Sequence, residues 1–361
     1  MDERAAWLRL TLTPGIGSAS QRALLAALGP PEQVLAASRT TLSGIIGAEL
    51  AERLKAGPEV TAVDAALAWL DEPDNHILTL ADADYPPQLL EISDPPTLLY
   101  IKGDASLLRH AALAIVGARS ATPQGMDNAR AFARSLADAG LVVVSGLALG
   151  IDTAAHRGTM ESEGGRTIAV IGTGADRVYP ARNRDLAHRI VANGAIISEL
   201  PLGTPPLPHH FPRRNRIIAG LARGVLVVEA APDSGSLITA RLAGENGREV
   251  LAIPGSIHSP LSRGCHRLIR DGAKLVETAA DVLEELRWGG PPDCTAARQE
   301  QASPDDPQAA AVLEAMGFDP VTLEVLVERC GLTLDALYAI LLALELEGRI
   351  ANLPGSRYQR L

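Results

Sequence analysis

The chain has 361 residues, of which 33 are basic and 43 are acidic, so its formal net charge is −10. Hydrophobic residues make up 47% of the chain and charged residues 21%, a balance typical of globular proteins and unlike that of disordered chains. No apolar run approaches the roughly 20 residues that a membrane helix needs, and the acidic charge argues against indiscriminate coating of nucleic acids while leaving room for a local basic groove.

Residues 1–75 are predicted to form a small helical module. Leucines recur there at helix-like spacings, and stretches rich in glycine and proline interrupt them at 14–17 and 29–31. The first stretch, Pro-Gly-Ile-Gly, resembles the hairpin of helix-hairpin-helix or SAM-like modules, in which backbone N–H groups contact DNA phosphates. A simple turn between two helices explains the same residues, because the following helix carries only Arg22 as a cation.

Residues 76–288 alternate between short apolar runs and helix-length stretches. The runs are rich in valine and isoleucine and lie at 76–80, 97–101, 113–116, 141–144, 167–171, 195–198, 225–228 and 249–253. Continuous apolar strands that alternate with helices indicate a parallel sheet covered by helices on both faces. We therefore predict an α/β domain built on a mostly parallel sheet.

The last part of the chain is predicted to be a separate module. Residues 289–307 are rich in proline, glycine and polar residues, which is typical of a linker. Three helical segments and a short terminal hairpin follow in residues 308–361, a pattern that predicts a winged-helix domain. Its candidate recognition helix, residues 334–346, contains no basic residue, which favours a protein-contact or regulatory role over the reading of DNA.

Several predicted strands end in turns rich in small and hydroxyl-bearing residues that open helices. In parallel sheets ligands bind beyond the carboxyl ends of the strands, and helix N-termini with free N–H groups attract anions. One such turn is a weak signal, because its glycines often serve only the turn. Together they predict a phosphate-binding rim formed by Gly117, Ser145, Gly146, Gly172, Thr173, Gly174, Ser234, Gly235 and Ser236.

The usual nucleotide and cofactor motifs are missing from this rim. No GxxxxGK occurs, so a P-loop nucleotidase has no support, and the Gly-Thr-Gly at 172–174 lacks the third glycine of GxGxxG. We therefore predict no cofactor.

A basic stretch lies at the start of a predicted helix. Arg213, Arg214, Asn215 and Arg216 follow Phe211 and Pro212, in a chain with only 3% aromatic residues. Arginines contact phosphates, and an aromatic ring beside them can stack on an unpaired base. The alternative is a solvated helix start with Phe211 in the core. Positive charge at a helix N-terminus opposes the helix dipole unless an anion is present, which favours a binding role.

Six motifs in one order resemble the DprA/Smf family of DNA recombination mediators. They lie at 114–119, 145–156, 168–180, 211–221, 227–240 and 253–276. The resemblance is strong over residues 76–286 and weaker at both ends. It implies an extended Rossmann-like domain flanked by an N-terminal helical module and a C-terminal winged helix. It also implies a protein that binds single-stranded DNA during natural transformation and loads RecA recombinase on it.

The resemblance further implies roles for individual residues. Arg119 would reach the bound strand, Phe211 would stack on a base, and Arg213, Arg214, Asn215 and Arg216 would form the family's basic stretch. Donors at Ser145, Gly146, Gly172, Thr173 and Gly174 would bind successive phosphates, and Ser234, Gly235 and Ser236 would close the groove. Pairing into a homodimer, with RecA contacts nearby, is expected around His266, Leu268, Ile269 and Leu275, of which the apolar residues could equally belong to the core.

Two other functions compete with DNA binding: a nucleotide-binding sensor and a nucleoside-monophosphate hydrolase. Related hydrolases carry GGxGTxxE at the equivalent strand end, whereas residues 234–241 read SGSLITAR and lack the glutamate. Without that carboxylate the general acid/base is missing, so we expect no enzyme and no catalytic residues. Asp152 and His156 share a helix face and could form a dyad, but an N-cap and a packed residue are the favoured interpretation.

Metal binding and disulfides are not expected either. His209 and His210 have no acidic or cysteine partner nearby in the sequence, so no metal site is predicted. Cys265, Cys294 and Cys330 are odd in number and form no CxxC, which argues against a disulfide scaffold. The expected location is the cytoplasm, with no membrane association.

Overall fold

The computed structural model describes residues 2–289, 307–353 and 355–361. Apart from its two end residues, the predicted linker at 289–307 lies outside the described residues, and so does Cys294. None of the described helices is both long enough and apolar enough to cross a membrane.

The N-terminal part is helical, as predicted. Its helices are α1 (Glu3–Leu12), α2 (Ser18–Leu28), α3 (Pro31–Ala36), α4 (Arg39–Ile46), α5 (Ala48–Ala56) and α6 (Val60–Leu70). Leu10, Leu24 and Leu42 are fully buried in a core among these helices. A second cluster joins Trp7 and Leu8 to Tyr100 of the following sheet, so the helices also pack against the central domain.

The central sheet has nine strands among the described residues, in the order β1-β2-β6-β5-β4-β3-β7-β8-β9. The strands are β1 (Asn75–Thr79), β2 (Leu98–Gly103), β3 (Ala112–Val116), β4 (Val142–Ser145), β5 (Thr167–Val170), β6 (Ala195–Ser198), β7 (Gly224–Val227), β8 (Glu249–Ala252) and β9 (Lys274–Leu275). Strands β3 to β9 run parallel, whereas β1 and β2 pair antiparallel. The predicted mostly parallel sheet is confirmed.

Helices cover both faces of this sheet. They are α7 (Pro87–Leu90), α8 (Pro123–Asp138), α9 (Ile151–Thr159), α10 (Arg184–Asn193), α11 (His210–Leu221), α12 (Gly235–Glu245), α13 (Arg263–Arg270) and α14 (Ala279–Glu285). Side chains alternate across β3: Leu113 and Ile115 join the core that contains α8 and α9, and Ala114 and Val116 join the core that contains α11 and α12. This two-sided burial explains the uninterrupted apolar runs of the sequence.

The strand order places a crevice at the centre of the sheet. From β3 the chain builds β4, β5 and β6 on one side, then returns to place β7 on the other side of β3. The connections on the two sides of β3 therefore diverge at its carboxyl end. Such a switch point is where open α/β sheets bind their ligands.

The C-terminal part has the predicted winged-helix arrangement. Its elements are α15 (Pro307–Met316), β10 (Val321–Thr322), α16 (Leu323–Cys330), α17 (Leu334–Leu346), β11 (Ile350–Leu353) and β12 (Arg357–Arg360). The three strands pair in the order β10-β12-β11. Leu337, Leu341 and Leu344 of α17 are buried in the core of this part.

The predicted pairing surface lies on α13 and on the edge strand β9. Leu268 and Ile269 are partly buried and pack against the central core, and the His266 ring contacts the Gly255 carbonyl at 2.9 Å. Leu275 is 43% exposed on β9. Of the three apolar side chains, Leu275 is therefore the one most available to a second copy, and the pairing itself stays a prediction.

His156 is a packed residue of α9, as the sequence favoured. Its side chain is fully buried, and Nδ1 contacts the Thr167 hydroxyl at 2.7 Å. Burial lowers the pKa of His156 to about 3, and the positive charge of Arg214 adds to this effect. The side chain is therefore neutral at physiological pH, as a packed histidine should be.

Candidate nucleic-acid interface

A cavity of about 310 Å³ opens at the switch point, between the end of β3, the start of α11 and the start of α12. It brings together eight of the predicted site residues, namely Gly117, Arg119, Phe211, Arg214, Asn215, Ser234, Gly235 and Ser236. Val116, Ala148, Asp152, Pro208, Pro212 and Thr239 complete its lining. The predicted convergence of distant segments on this edge is thus present in the structure.

Arg214 and Arg119 supply the positive charge of the cavity. Arg214 is only 7% exposed, and its Nη2 donates to the Gly146 carbonyl at 3.0 Å. The pKa of Arg214 is lowered to about 10, chiefly by burial; the charge of Asp152 opposes this shift and the charge of Arg119 adds to it. Arg214 therefore stays charged at neutral pH. Arg119 is exposed and has no carboxylate within ion-pair distance among the described residues.

Asp152 lies under the cavity and uses one donor that was predicted for phosphates, the N–H of Gly146. Its carboxylate accepts hydrogen bonds from the backbone N–H of Gly146 at 3.1 Å and of Ala148 at 3.2 Å. Burial raises the pKa of this carboxyl, and the charge of Arg214 opposes the shift. The expectation that Gly146 offers its N–H to DNA is corrected. The predicted N-cap role of Asp152 is also wrong, because Gly150 occupies the N-cap of α9.

Other predicted donors are engaged inside the protein. The Ser145 hydroxyl is buried and donates to the Ile115 carbonyl at 2.7 Å, and the Thr173 hydroxyl donates to the Arg177 carbonyl at 3.0 Å. The Gly174 N–H donates to Thr204. These groups belong to the framework, so the expectation that they point to the groove is corrected. The polar groups of small residues satisfy one another where neighbouring strand ends meet.

Gly172 has a steric role at the end of β5. A Cβ atom there would lie 2.9 Å from Cδ1 of Phe211. A side chain at this position would clash with the ring of Phe211. The glycine therefore allows Phe211 to pack against the end of β5. Gly172 therefore has a packing role, and its predicted role as a phosphate donor stays a prediction.

The start of α12 keeps the character expected of an anion site. Ser234 is the N-cap, and its hydroxyl lies 2.7 Å from the Ser236 hydroxyl. The Asn215 side chain donates to the Gly235 carbonyl at 3.3 Å and ties α11 to this end of α12. The positive end of the α12 dipole therefore faces the same cavity as the two arginines.

The basic stretch of α11 divides between two sides of the helix. Arg214 and Asn215 line the cavity, whereas Arg213 and Arg216 do not. Arg213 pairs with the buried Glu199 at 3.1 Å, and Arg216 pairs with Glu199 and also with Asp94, the latter at 3.1 Å. The expectation that all three arginines form one DNA-contacting cluster is corrected. Glu199 supplies the anion that the helix start needs, and no external phosphate is required there.

Asp94 connects this charge cluster to the N-terminal helices. Its carboxylate also accepts from Ser18 at 2.9 Å and from Arg22 at 2.7 Å, both on α2. Arg22, the only cation noted in α2, thus links the N-terminal helices to the central domain. The sequence analysis did not identify Asp94 and Glu199 as ion-pair partners of these arginines, because each is separated from its partners in the sequence. Glu199 directly follows a predicted strand, which was the one signal available.

Glu229 was also missed as a site-positioning residue. Its carboxylate accepts from the Thr122 N–H at 2.9 Å and the Thr122 hydroxyl at 2.6 Å, and its carbonyl accepts from the Ala118 N–H at 2.7 Å. Burial raises the pKa of Glu229, and the bonds from Thr122 oppose the rise. These bonds hold both ends of the short loop that carries Arg119.

An aromatic pair flanks the cavity. Phe211 is partly buried, with the Arg119 guanidinium 5.6 Å from its ring centroid and the Tyr179 ring 5.7 Å away at 41°. Arg119 thus makes a cation–π contact with the ring that was predicted to stack on a base. Tyr179 was not predicted as a site residue, although it lies in one of the six motifs.

Family models match the central and the C-terminal parts of the chain. The model described as DNA recombination-mediator protein A matches residues 76–287, and the model described as DprA winged helix domain matches residues 296–356.

Curated relatives agree with these matches. Protein Smf of Escherichia coli is 42% identical over 307 residues, which cover 83% of this chain and 81% of the relative. DNA processing protein DprA of Streptococcus pneumoniae is 50% identical over 210 residues, which cover 58% of this chain and 74% of the relative.

Solved structures show the same similarity in three dimensions. The X-ray structure of DNA processing protein A from Streptococcus pneumoniae aligns with a TM-score of 0.70 at 39% identity, covering 79% of this chain and 98% of that one. A structure of the Helicobacter pylori protein, reported for its single-stranded DNA binding mode, aligns with a TM-score of 0.53 at 31% identity, covering 59% and 96%. This chain belongs to the DNA recombination-mediator protein A family, DprA/Smf.

Proposed function

We propose that this chain binds single-stranded DNA, without sequence preference, in the cavity at the carboxyl edge of its sheet. The observation that carries the proposal is the convergence of Arg119, Arg214 and the start of α12 on one cavity beside an aromatic pair. Cations and a helix N-terminus suit phosphates, and rings suit unpaired bases. The Helicobacter pylori relative, reported for single-stranded DNA binding, supports the same ligand.

We further propose that the chain acts as a cytoplasmic homodimer that loads RecA on incoming DNA during natural transformation. This part rests on the family resemblance and on the exposed Leu275 at the sheet edge. No catalytic step is proposed, because the strand end at residues 234–241 lacks the glutamate of the related hydrolases.

DNA binding is tested first with Arg119→Ala on a poly-dT oligonucleotide. The variant removes one exposed guanidinium, so we expect weaker binding and a salt dependence reduced by about 0.7 in the slope of log K against log salt, the value for one contact to a single-strand phosphate. Fluorescence anisotropy at several salt concentrations measures both. Arg134→Ala, an exposed arginine of α8, is the matched control and should bind like wild type.

The outcomes separate the competing functions. Equal binding by wild type and Arg119→Ala at every salt concentration contradicts the site. Saturable binding of dTMP with no preference for the polymer supports a nucleotide sensor instead. Release of free base from a nucleoside monophosphate supports a hydrolase.

RecA loading is tested with wild type and Leu275→Glu. We expect the wild type to sediment as a dimer and to speed RecA assembly on DNA covered by single-strand-binding protein. A charge at an apolar pairing surface should shift Leu275→Glu toward the monomer and weaken that assembly. Sedimentation velocity and RecA ATP hydrolysis are the readouts. Leu90→Glu, which alters another exposed leucine, is the control. A wild-type monomer with undiminished loading contradicts the dimer proposal.

A further inference from the structure

We infer that the DNA path continues beyond the cavity onto residues 177–182, where Tyr179 stacks on a base and Arg182 contacts a phosphate. This inference rests on the proposed single-stranded DNA binding and extends that site to a segment with no assigned role. Tyr179 replaces Phe211 as the ring that touches a base.

The surroundings of Phe211 make it a support for other groups. The Arg119 guanidinium lies over its ring at 5.6 Å, and the strand end at Gly172 packs against its Cδ1 edge. The Tyr179 ring lies beside it, with the two ring centroids 5.7 Å apart. A base could stack on the covered face only by displacing the guanidinium, which is itself a phosphate-binding group. Phe211 therefore positions Arg119 and Tyr179.

Tyr179 offers the free ring surface that Phe211 lacks. It is 46% exposed, more than any other tryptophan, tyrosine or phenylalanine in residues 2–289. The tilted contact with Phe211 supports one side of the ring and leaves the rest to solvent. A large exposed ring held at the rim of a cationic cavity is the arrangement that single-strand binders use for stacking.

Positive charge flanks this ring. Arg177 and Arg182 are both exposed, and neither has a carboxylate within ion-pair distance among the described residues. Guanidinium groups with no internal partner are available to phosphates, in contrast to Arg213 and Arg216. The segment thus combines a ring with free cations on both sides, as a track for an unpaired strand requires.

The segment is also anchored to the site. Asn183 is buried, and its side-chain amide donates to the Leu147 carbonyl and to the Thr153 hydroxyl, both at 2.9 Å. Leu147 lies in the loop after β4, and Thr153 lies on α9 next to Asp152. The backbone that carries Arg182 is therefore fixed next to the cavity. Little conformational entropy of this segment is lost when DNA binds.

The experiment compares Tyr179→Ala, Tyr179→Phe and Arg182→Ala with wild type on poly-dT and on an abasic oligonucleotide of the same length. Tyr338→Ala removes a tyrosine of α17 that is 50% exposed and serves as the matched control. Tyr179→Ala should weaken poly-dT binding about 5- to 150-fold with an unchanged salt slope. Tyr179→Phe and Tyr338→Ala should bind like wild type.

The abasic oligonucleotide isolates the stacking. On it, wild type and Tyr179→Ala should bind equally, because there is no base to stack. Arg182→Ala should reduce the salt slope by about 0.7 on either oligonucleotide. Thermal unfolding of each variant records whether the fold is retained.

Three results would overturn the inference. If Tyr179→Ala binds poly-dT like wild type while Arg119→Ala is impaired, the ring has no role and the proposed function stands. If Tyr179→Ala loses affinity equally on the abasic strand, the ring acts through structure and not by stacking. If wild type binds neither oligonucleotide, the proposed function itself fails.

Discussion

Arg214→Ala is expected to cost the protein both stability and DNA affinity. Arg214 is the cation beside the buried carboxylate of Asp152, and its removal leaves that charge without compensation. Leaving a buried charge without compensation costs about 3–5 kcal/mol of unfolding free energy. Urea unfolding measures this loss, and anisotropy with poly-dT measures the accompanying loss of affinity and of about 0.7 in salt slope.

The stability loss of Arg214→Ala should depend on pH in a defined direction. Burial already raises the pKa of Asp152, and removing the guanidinium removes the largest of the effects that oppose this rise. A carboxyl whose pKa is higher in the folded than in the unfolded state favours folding at low pH, and that contribution is lost as the pH rises through the folded-state pKa. The deficit relative to wild type is therefore expected to grow as the pH rises above the ordinary range of a carboxyl group.

The double variant Asp152→Asn/Arg214→Ala separates the two losses. It removes the uncompensated charge while an amide oxygen can still accept from Gly146 and Ala148. It should regain part of the stability at about pH 8 and none of the DNA affinity, because the cation of the cavity is still missing. Arg134→Ala is again the surface control. An Arg214→Ala variant as stable as wild type at every pH would contradict the charge compensation between Arg214 and Asp152.

Glu199→Gln is expected to have the second largest effect. Glu199 is 6% exposed at its side chain and pairs with both Arg213 and Arg216. Its replacement leaves the buried guanidinium of Arg216 with Asp94 alone, so we expect a loss of about 3 kcal/mol in unfolding free energy. Because Asp94 also holds Ser18 and Arg22, the N-terminal helices should become more susceptible to proteolysis.

Glu161→Gln is the matched control for this substitution. Glu161 pairs with Arg130 in a far more exposed setting, with side chains 32% and 55% exposed, so its loss should cost less than about 1 kcal/mol. Urea unfolding of the two variants under identical conditions makes the comparison. If both variants lose the same amount of unfolding free energy, the ion pairs of Glu199 with α11 stabilise the fold no more than an exposed ion pair does.

Local sequence patterns determined the secondary structure and the order of the elements. A strand buried on both faces must be apolar along its whole length, so the apolar runs predicted eight of the nine described strands of the central sheet to within about one or two residues, and only the two-residue edge strand β9 was missed. The run at 195–198 coincides with β6, and residues 334–346 coincide with α17. The edge where the ligand site lies also followed, because carboxyl ends of parallel strands meet at one edge.

The partners of the charged side chains were decided only by the tertiary structure. Arg213, Arg214 and Arg216 look alike in the sequence, yet helix geometry directs the second into the cavity and the other two toward Glu199 and Asp94. Asp94 lies more than a hundred residues before α11 and reaches it only when the sheet brings β2 beside β6. Whether an arginine is free for DNA is thus a property of long-range packing, which no local pattern encodes.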